Sequence, residues 1–146
     1  EVPPGRKNMT PKVALSYNSG GGPSLYGYGW DLPLGKIQRS TKHGVSGCGE
    51  PWVNEYVLVL PGAAVECTLD GTNQCVPKIE ESFTRIAWQS SDNSFIVRDK
   101  SGLRYTFGDT TSSRAGSSVS AACSTHVWML TRVADQWGNQ MEISYL

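Results

Sequence analysis

The stretch FIVRDKSGLRYTFG, residues 95–108, decides the fold. An apolar segment enters the tetrad Asp-Lys-Ser-Gly, and Leu103, Tyr105 and Phe107 then alternate with polar residues. An aspartate in such a turn accepts backbone N–H bonds, and a glycine supplies the positive φ at which the chain reverses. Because a period of two places apolar side chains on one face of a strand, the stretch predicts a β-hairpin.

The same design recurs in MLTRVADQWGNQMEISY, residues 129–145, where Asp-Gln-Trp-Gly forms the turn. No segment has the period of an amphipathic helix, and turn-forming residues interrupt the chain roughly every eight to twelve residues. These patterns predict an all-β protein built as an antiparallel β-hairpin array. Further strands are predicted at Lys12–Tyr17, Val57–Leu60, Phe83–Gln89 and Phe95–Arg98. The continuous apolar run Val57–Leu60 predicts a strand buried on both faces.

Length and composition restrict the classes of function. The 146 residues fit a single domain over 1–146 or part of a larger protein, and the 13 basic and 13 acidic residues balance. A net charge of zero argues against nucleic acid or an anionic membrane as a partner. The longest apolar run, Tyr56–Leu60, is far below the ~20 residues of a membrane span. The opening residues lack the apolar core of a signal peptide, so we expect a chain that starts after a targeting segment or inside a longer protein. The small polar residues of Thr110–Ser120 predict a mobile surface loop.

The four cysteines are Cys48, Cys67, Cys75 and Cys123. An even number in a polar, glycine-rich chain predicts disulfides and an oxidising compartment. Of the three connectivities we favour Cys67–Cys75 with Cys48–Cys123, because the first pair brackets the turn TLDGTNQ. A loop of odd length containing Gly71 would place Cys67 opposite Cys75. The C-x2-C and H-x3-H spacings of zinc sites do not occur in the sequence, so no metal site is predicted.

Catalytic chemistry finds little support in the sequence. The two histidines, His43 and His126, lie among small polar residues, and no G-x-S-x-G element occurs. Adjacent residues of a strand point to opposite faces, so Glu80 and Glu81 would not converge on one substrate. The glycine-rich segment at residues 20–29 matches neither phosphate-loop pattern. We therefore predict no catalytic residue and no cofactor.

Aromatic side chains are the remaining candidates for a site. Trp52 and Trp137 could stack on a sugar ring, although aromatic residues of β proteins more often pack in the core or across strands. Tyr26, Tyr28 and Trp30 are expected to pack together as an aromatic cluster. The sequence thus favours structural packing over ligand stacking.

The segment VPPGRKNMTPKVALSYNSGGGPSLYGYGWDLPLGKIQRSTKHG, residues 2–44, resembles the opening signature of SpvB-type N-terminal domains. That family also forms the start of the B component of Tc toxin complexes, within the wider Rhs/YD-repeat group. The pattern closes on Ile37, Arg39 and Ser40, and both hairpins described above resemble hairpins of the group. Residues 44–77 are a divergent insertion. The signature positions are Gly5, Arg6, Tyr17, Gly20, Gly22, Gly27, Gly29 and Trp30.

The resemblance implies a structural role. In Tc toxins such domains join YD repeats to build a hollow β-shell around a toxic cargo, and in SpvB-like proteins a separate C-terminal domain is the ADP-ribosyltransferase. That activity needs a Glu-x-Glu pair, which this sequence lacks. The resemblance thus implies a non-enzymatic scaffold within a larger β-shell or sandwich. Cysteines are outside the family pattern, which suggests a disulfide-stabilised, secreted, extracellular variant.

Three functions follow from these patterns. The first is a structural or assembly domain of a secreted protein. The second is an extracellular carbohydrate- or protein-binding module that uses exposed aromatics, and the third is the scaffold portion of a toxin whose catalytic domain lies downstream. The expected partners are other protein segments or subunits that pair with exposed sheet edges, including a downstream toxin or YD-repeat region.

Overall fold

The computed structural model describes residues 14–22, 27–44, 53–79, 83–116 and 122–146, and the chain divides into two compact units, 1–34 and 35–146. The first unit contains a two-stranded sheet of β1 (Ser16–Tyr17) and β2 (Trp30–Asp31). The second contains a ten-stranded sheet made of β3 (Lys36–Arg39), β4 (Glu55–Leu60), β5 (Ala63–Leu69), β6 (Cys75–Pro77), β7 (Phe83–Gln89), β8 (Ser94–Asp99), β9 (Arg104–Phe107), β10 (Arg114–Gly116), β11 (Thr125–Ala134) and β12 (Gln140–Glu142). These strands pair antiparallel, which confirms the predicted all-β, antiparallel class. The single domain over residues 1–146 stays a prediction.

The longest strand, β11, joins two halves of the large sheet. It pairs with β3 and β10 along its first half and with β9 and β12 along its second half. The register shifts between Leu130 and Arg132, where the partner changes. The main path runs β6-β5-β4-β3-β11-β9-β8-β7. Its two ends also meet, because Gln74 bridges to Ala87 and the Trp88 N–H donates to the Asn73 carbonyl at 2.9 Å. The sheet of the second unit is therefore nearly closed.

One face of the ten-stranded sheet forms the core of the second unit. Its largest buried side chains are those of Trp128, Phe95, Phe107, Ile37, Leu58, Ile86 and Val97. In β4 the buried Tyr56 and Leu58 alternate with the half-buried Val57 and Val59. The prediction that Val57–Leu60 is buried on both faces is therefore wrong: the strand is antiparallel, and only one of its faces packs on the core.

Three hairpins of the second unit use one turn design. In the turns that begin at Asp70, Asp99 and Asp135, the aspartate Oδ1 accepts the backbone N–H groups of the second and fourth following residues at 2.8–3.0 Å. The fourth turn position has positive φ and is Gly102 or Gly138 in the two turns predicted from sequence. In the first turn Asn73 takes this position with φ 62°, which asparagine tolerates better than most residues. The predicted role of the aspartate and glycine is confirmed.

The segment predicted as a mobile loop has a defined structure over its described part. Residues Thr111–Ser113 form a 3-10 turn, and Ser113 is fully buried, with its hydroxyl donating to the Thr110 carbonyl at 2.7 Å. Residues Arg114–Gly116 then pair with β11. Polar composition alone had suggested a loop, but these hydroxyl groups bond locally to the backbone and allow the turn to pack. Residues 117–120 lie outside the described part.

One disulfide is seen in the described residues, between Cys67 and Cys75, as predicted. The predicted register is wrong, because Cys67 lies opposite Pro77 while Cys75 lies opposite Leu69. The bridge is thus diagonal, with the two Cα atoms 5.3 Å apart, within the usual range for a disulfide. The turn is centred one residue later than expected, on Thr72, because Asp70 pairs with Gln74. The second predicted bridge, Cys48–Cys123, includes Cys48, which lies outside the described residues, and stays a prediction.

Replacing Cys67 and Cys75 together with alanine is expected to lower the free energy of unfolding by about 2.6 kcal/mol, because the bridge restricts a short loop of the unfolded chain. The bridged hairpin also supplies the contact between Gln74 and Ala87, so amide exchange at both residues should accelerate. Urea unfolding and hydrogen exchange measure the two effects. Free energies of unfolding that agree to within about 0.5 kcal/mol between the parent and the double variant would contradict the prediction.

Candidate interaction surfaces

A buried arginine organises the polar part of the core. Arg39 lies on β3 two residues after the buried Ile37, so both side chains point to the core. Its Nε donates to the Thr125 carbonyl at 2.8 Å, and its Nη1 donates to the Val53 carbonyl and to the Tyr56 hydroxyl. The guanidinium carbon also lies 5.1 Å from the Tyr56 ring centroid and 5.5 Å from that of Trp128. The hydrogen-bond acceptors and the aromatic faces compensate for the lost hydration of the buried guanidinium, so Arg39 stabilises the fold.

The aromatic rings around this arginine are packed edge to face. Tyr56, Phe95 and Trp128 have ring centroids 5.1–5.7 Å apart. The Trp128 Nε1–H donates to the Asn93 carbonyl at 2.9 Å, and Asn93 Nδ2 donates to the Thr125 hydroxyl at 3.1 Å. Burial raises the pKa of the Tyr56 hydroxyl above its ordinary value near 10.0, although the Arg39 charge opposes the shift. The resemblance includes Arg39 but implies no role for it; the signal in the sequence is its position two residues after the apolar Ile37, which places both side chains on one face of a strand.

The signature glycines of the first unit allow close backbone contacts. Gly29 has φ 80°, and a Cβ there would lie 2.8 Å from the Asn18 carbonyl oxygen. Gly27 also has positive φ, whereas a Cβ at Gly22 would meet nothing within 4 Å. The structure thus gives a steric reason for Gly29 and a conformational one for Gly27. A Cβ added at Gly20 would meet only the Asn18 side chain. Gly5 and Arg6 lie outside the described residues.

The described aromatic residues of the first unit include a pair that packs across the two strands. Trp30 packs against Tyr17, with ring centroids 5.2 Å apart, across the β1–β2 pair. Tyr28 is 70% exposed, and the expected cluster of Tyr26, Tyr28 and Trp30 stays a prediction. Tyr26 lies outside the described residues. Leu15, Tyr17 and Trp30 are exposed as well, so this unit presents apolar surface.

Of the two tryptophans predicted to stack on a ligand, one lies among the described residues. Trp137 is 63% exposed at the tip of the β11–β12 hairpin. Its backbone N–H donates to Asp135 Oδ1 at 2.9 Å as part of the turn. Trp52 lies outside the described residues. Ligand stacking at Trp52 and Trp137 stays a prediction.

No catalytic arrangement is evident among the described residues. His43 is exposed and His126 is half-buried, on separate elements. No group of three His, Cys, Asp or Glu side chains in the described ranges could hold a metal ion. Glu80 and Glu81 lie outside those ranges. No helix among the described residues is long and apolar enough to cross a membrane.

A cleft of about 430 Å³ lies in the second unit between the β4–β5 turn and the β8–β9 turn. Its apolar wall includes Leu60, Pro61 and the Tyr105 ring, and the Tyr105 hydroxyl donates to Asp99 Oδ2 at 3.4 Å. Burial, together with the Asp99 charge, raises the pKa of the Tyr105 hydroxyl above 10.0. The phenol therefore stays protonated near neutral pH. The cleft can accept a small apolar group, and the Ser101 hydroxyl in its wall donates to Asp99 Oδ1 at 2.7 Å as part of the β8–β9 turn.

The outer edge of β12 is unpaired among the described residues. The strand pairs with β11 alone, with Val133 opposite Met141 and Arg132 opposite Glu142. Hydrogen-bonded and non-hydrogen-bonded pairs alternate along an antiparallel ladder, and the Ile143 N–H donates to the Thr131 carbonyl at 2.8 Å. The backbone groups of Gln140 and Glu142 therefore point away from β11. They offer donors and acceptors to another strand.

Comparison with known families supports the resemblance seen in the sequence. Residues 1–67 match the family described as SpvB, Salmonella virulence plasmid 65kDa B protein. The curated mono(ADP-ribosyl)transferase SpvB of Salmonella choleraesuis is 27% identical over 163 residues, and that of Salmonella typhimurium is 26% identical. The alignments cover 96% of this chain but only 27% of either relative.

Solved structures with the same fold include a domain of an effector protein and a Tc holotoxin. The N-terminal domain of the effector protein SpvB from Salmonella typhimurium matches with a TM-score of 0.72 and 24% identity, over 97% of this chain and 51% of that one. The Photorhabdus luminescens Tc holotoxin pore matches with a TM-score of 0.66 and 21% identity, over 92% of this chain and 7% of that one. The fold is that of an SpvB-type N-terminal domain, as the resemblance implied.

Proposed function

We propose that this chain, which has the fold of an SpvB-type N-terminal domain, is a non-enzymatic structural or assembly domain of a secreted SpvB/Tc-B/Rhs-like protein. In this role it contributes β-strands to a shell or to a cell-surface assembly. The observation that carries the proposal is the outer edge of β12, where Gln140 and Glu142 present backbone groups without a partner among the described residues. A strand from another segment or subunit would extend the sheet there.

Two further features support the proposal. The similarity is to the N-terminal domain of SpvB, whose full-length relatives are named mono(ADP-ribosyl)transferases, and this chain spans 27% of their length. The transferase activity therefore belongs to the larger relatives, and a toxin domain downstream is the corresponding proposal for a longer form of this protein. The Cys67–Cys75 bridge favours an extracellular location, because disulfides persist in oxidising compartments.

A carbohydrate- or protein-binding module is the second candidate function, and it rests on the exposure of Trp137. An indole at a hairpin tip can stack on a sugar face or on a protein side chain. Saturable binding in a glycan array that Trp137→Ala abolishes would favour this candidate over a purely structural role.

Replacing Glu142 with proline tests the assembly proposal, because it removes a backbone N–H that points away from β11 and keeps the hydrogen bonds to β11. We expect the parent chain to associate as its concentration rises in analytical ultracentrifugation, and the Glu142→Pro variant to remain monomeric. Glu142→Ala is the matched control, since it removes the same side chain and its ion pair with Arg132 but keeps the N–H. If the parent and the proline variant sediment alike at every concentration, the edge does not carry assembly.

A further inference from the structure

Three arginines form a row across the outer face of the sheet. Arg85 on β7 pairs with Arg98 on β8, and Arg98 pairs with Arg104 on β9. Their neighbours Ile86, Val97 and Tyr105 form the next row and point toward the core side, so the arginines point outward. All three arginines are exposed. With strands about 4.8 Å apart, the row spans about 10 Å.

The three arginines of this arginine row (Arg85, Arg98 and Arg104) form no ion pair with another described residue. Among the described residues, the basic groups that form ion pairs are Lys42, Lys78 and Arg132, all outside the row. Within the row, the Arg85 Nε donates to the neutral Gln74 Oε1 at 2.7 Å. Like charges directly opposite each other on neighbouring strands destabilise a sheet. The row therefore costs stability that a partner of opposite charge would recover.

A second row on the same face is largely apolar. Ala87 pairs with Ile96, and Ile96 pairs with Thr106, so these residues lie two positions along each strand from the arginines. Ala87 and Ile96 are half-buried and Thr106 is buried. Arginine beside apolar surface is the composition that protein interfaces favour. Nucleic acid is a poorer match, because the chain as a whole has no net charge.

We propose that the arginine row is a docking surface for an acidic segment of a polypeptide partner. Guanidinium groups bind carboxylates through two parallel hydrogen bonds, which fixes the partner's position as well as its charge. The partner's apolar side chains would lie on the half-buried Ala87 and Ile96. This surface is the face of β7–β9 and is separate from the outer edge of β12, so the two proposals can fail independently.

Binding of a hexaglutamate peptide to the whole chain, followed by isothermal titration calorimetry at low salt, tests this proposal. Arg98→Gln removes the central guanidinium and should weaken binding about tenfold, the effect of losing one charge-assisted contact. Lys100→Gln is the matched control, because it removes the same charge from an exposed turn residue outside the row. It should change the affinity less than about twofold. The thermal midpoint of Arg98→Gln should equal or exceed that of the parent, because repulsion in the row is relieved.

The alternatives give distinct results. Equal losses of affinity in Arg98→Gln and Lys100→Gln would mean non-specific attraction and would overturn the proposal. Undetectable peptide binding by the parent would also overturn it. Heparin and phosphatidylserine vesicles serve as competing probes: tighter binding of either than of the peptide, with the same dependence on Arg98, would assign the row to a polyanion or a membrane surface instead. Retained affinity in the Glu142→Pro variant would show that the row acts separately from the β12 edge.

Discussion

Replacing Trp128 with alanine is expected to lower the free energy of unfolding by about 4 kcal/mol. Only 1% of the Trp128 surface is exposed, and its ring packs against those of Tyr56 and Phe95. The substitution removes these contacts and leaves a cavity. It also removes the Nε1–H donor of the buried Asn93 carbonyl. Both losses occur on β11, the strand that joins the two halves of the sheet.

Guanidinium unfolding of the parent and the Trp128→Ala variant, followed by far-ultraviolet circular dichroism, measures this effect. Trp137→Ala is the matched control, because it removes the same side chain from the exposed hairpin tip. That control should change the free energy of unfolding by less than about 0.5 kcal/mol. Similar losses in both variants would mean that burial at Trp128 does not set the stability of the core.

Replacing Arg39 with methionine is expected to cost about 3 kcal/mol of unfolding free energy. Methionine fills a similar volume, so the loss is mainly that of the hydrogen bonds to the Thr125 carbonyl, the Val53 carbonyl and the Tyr56 hydroxyl. Buried acceptors left without a donor cost roughly 1–3 kcal/mol each, and part of this is recovered by relaxation of the cluster. Arg98→Met is the control, since Arg98 is an exposed strand arginine and its loss should be nearly neutral.

The Arg39→Met variant has a second readout in the titration of Tyr56. The Arg39 charge favours the phenolate, so its removal should raise the pKa of Tyr56 further. The pKa of Tyr56 in the folded state exceeds its usual value of 10.0. Its contribution to stability is therefore fully present below pH 10.0 and is lost as the pH rises through the folded pKa. Ultraviolet titration at high pH checks the direction. A lower pKa of Tyr56 in the variant, or unfolding energies equal for Arg39→Met and Arg98→Met, would refute the role of Arg39.

Local patterns predicted the hairpins well because the determinants lie within a few residues. Asp99 and Gly102, with the alternation of Leu103, Tyr105 and Phe107, were sufficient to predict the β8–β9 turn and the strand that follows. The same holds for the turn at Asp135. The register of the Cys67–Cys75 hairpin was predicted wrongly because it depends on which residue closes the turn. Asn73 with positive φ allows Gln74 to close it, and no pattern of glycines signalled this.

The interaction surfaces could not be predicted because they depend on pairings between distant strands. Arg85, Arg98 and Arg104 look like unrelated surface charges until the register of β7, β8 and β9 places them side by side. The open edge of β12 likewise depends on the whole order of the sheet. Arg39 could be predicted in part. Its position two residues after Ile37 on one strand indicates an inward-pointing side chain, but its hydrogen-bond acceptors come from β11 and from the segment before β4.

The position of β11 also sets the timing of folding during synthesis. Arg39 and the Thr125 carbonyl that it binds are 86 residues apart in the chain. At ribosomal rates of about 5–20 residues per second, roughly 4 to 17 seconds pass between the emergence of β3 and of its partner strand. During that interval β3–β6 and β7–β9 can form and can meet through Gln74 and Ala87, but the β3 and β9 edges stay uncovered. A nascent chain of this design therefore exposes two unpaired strand edges until Thr125–Ala134 has left the ribosome.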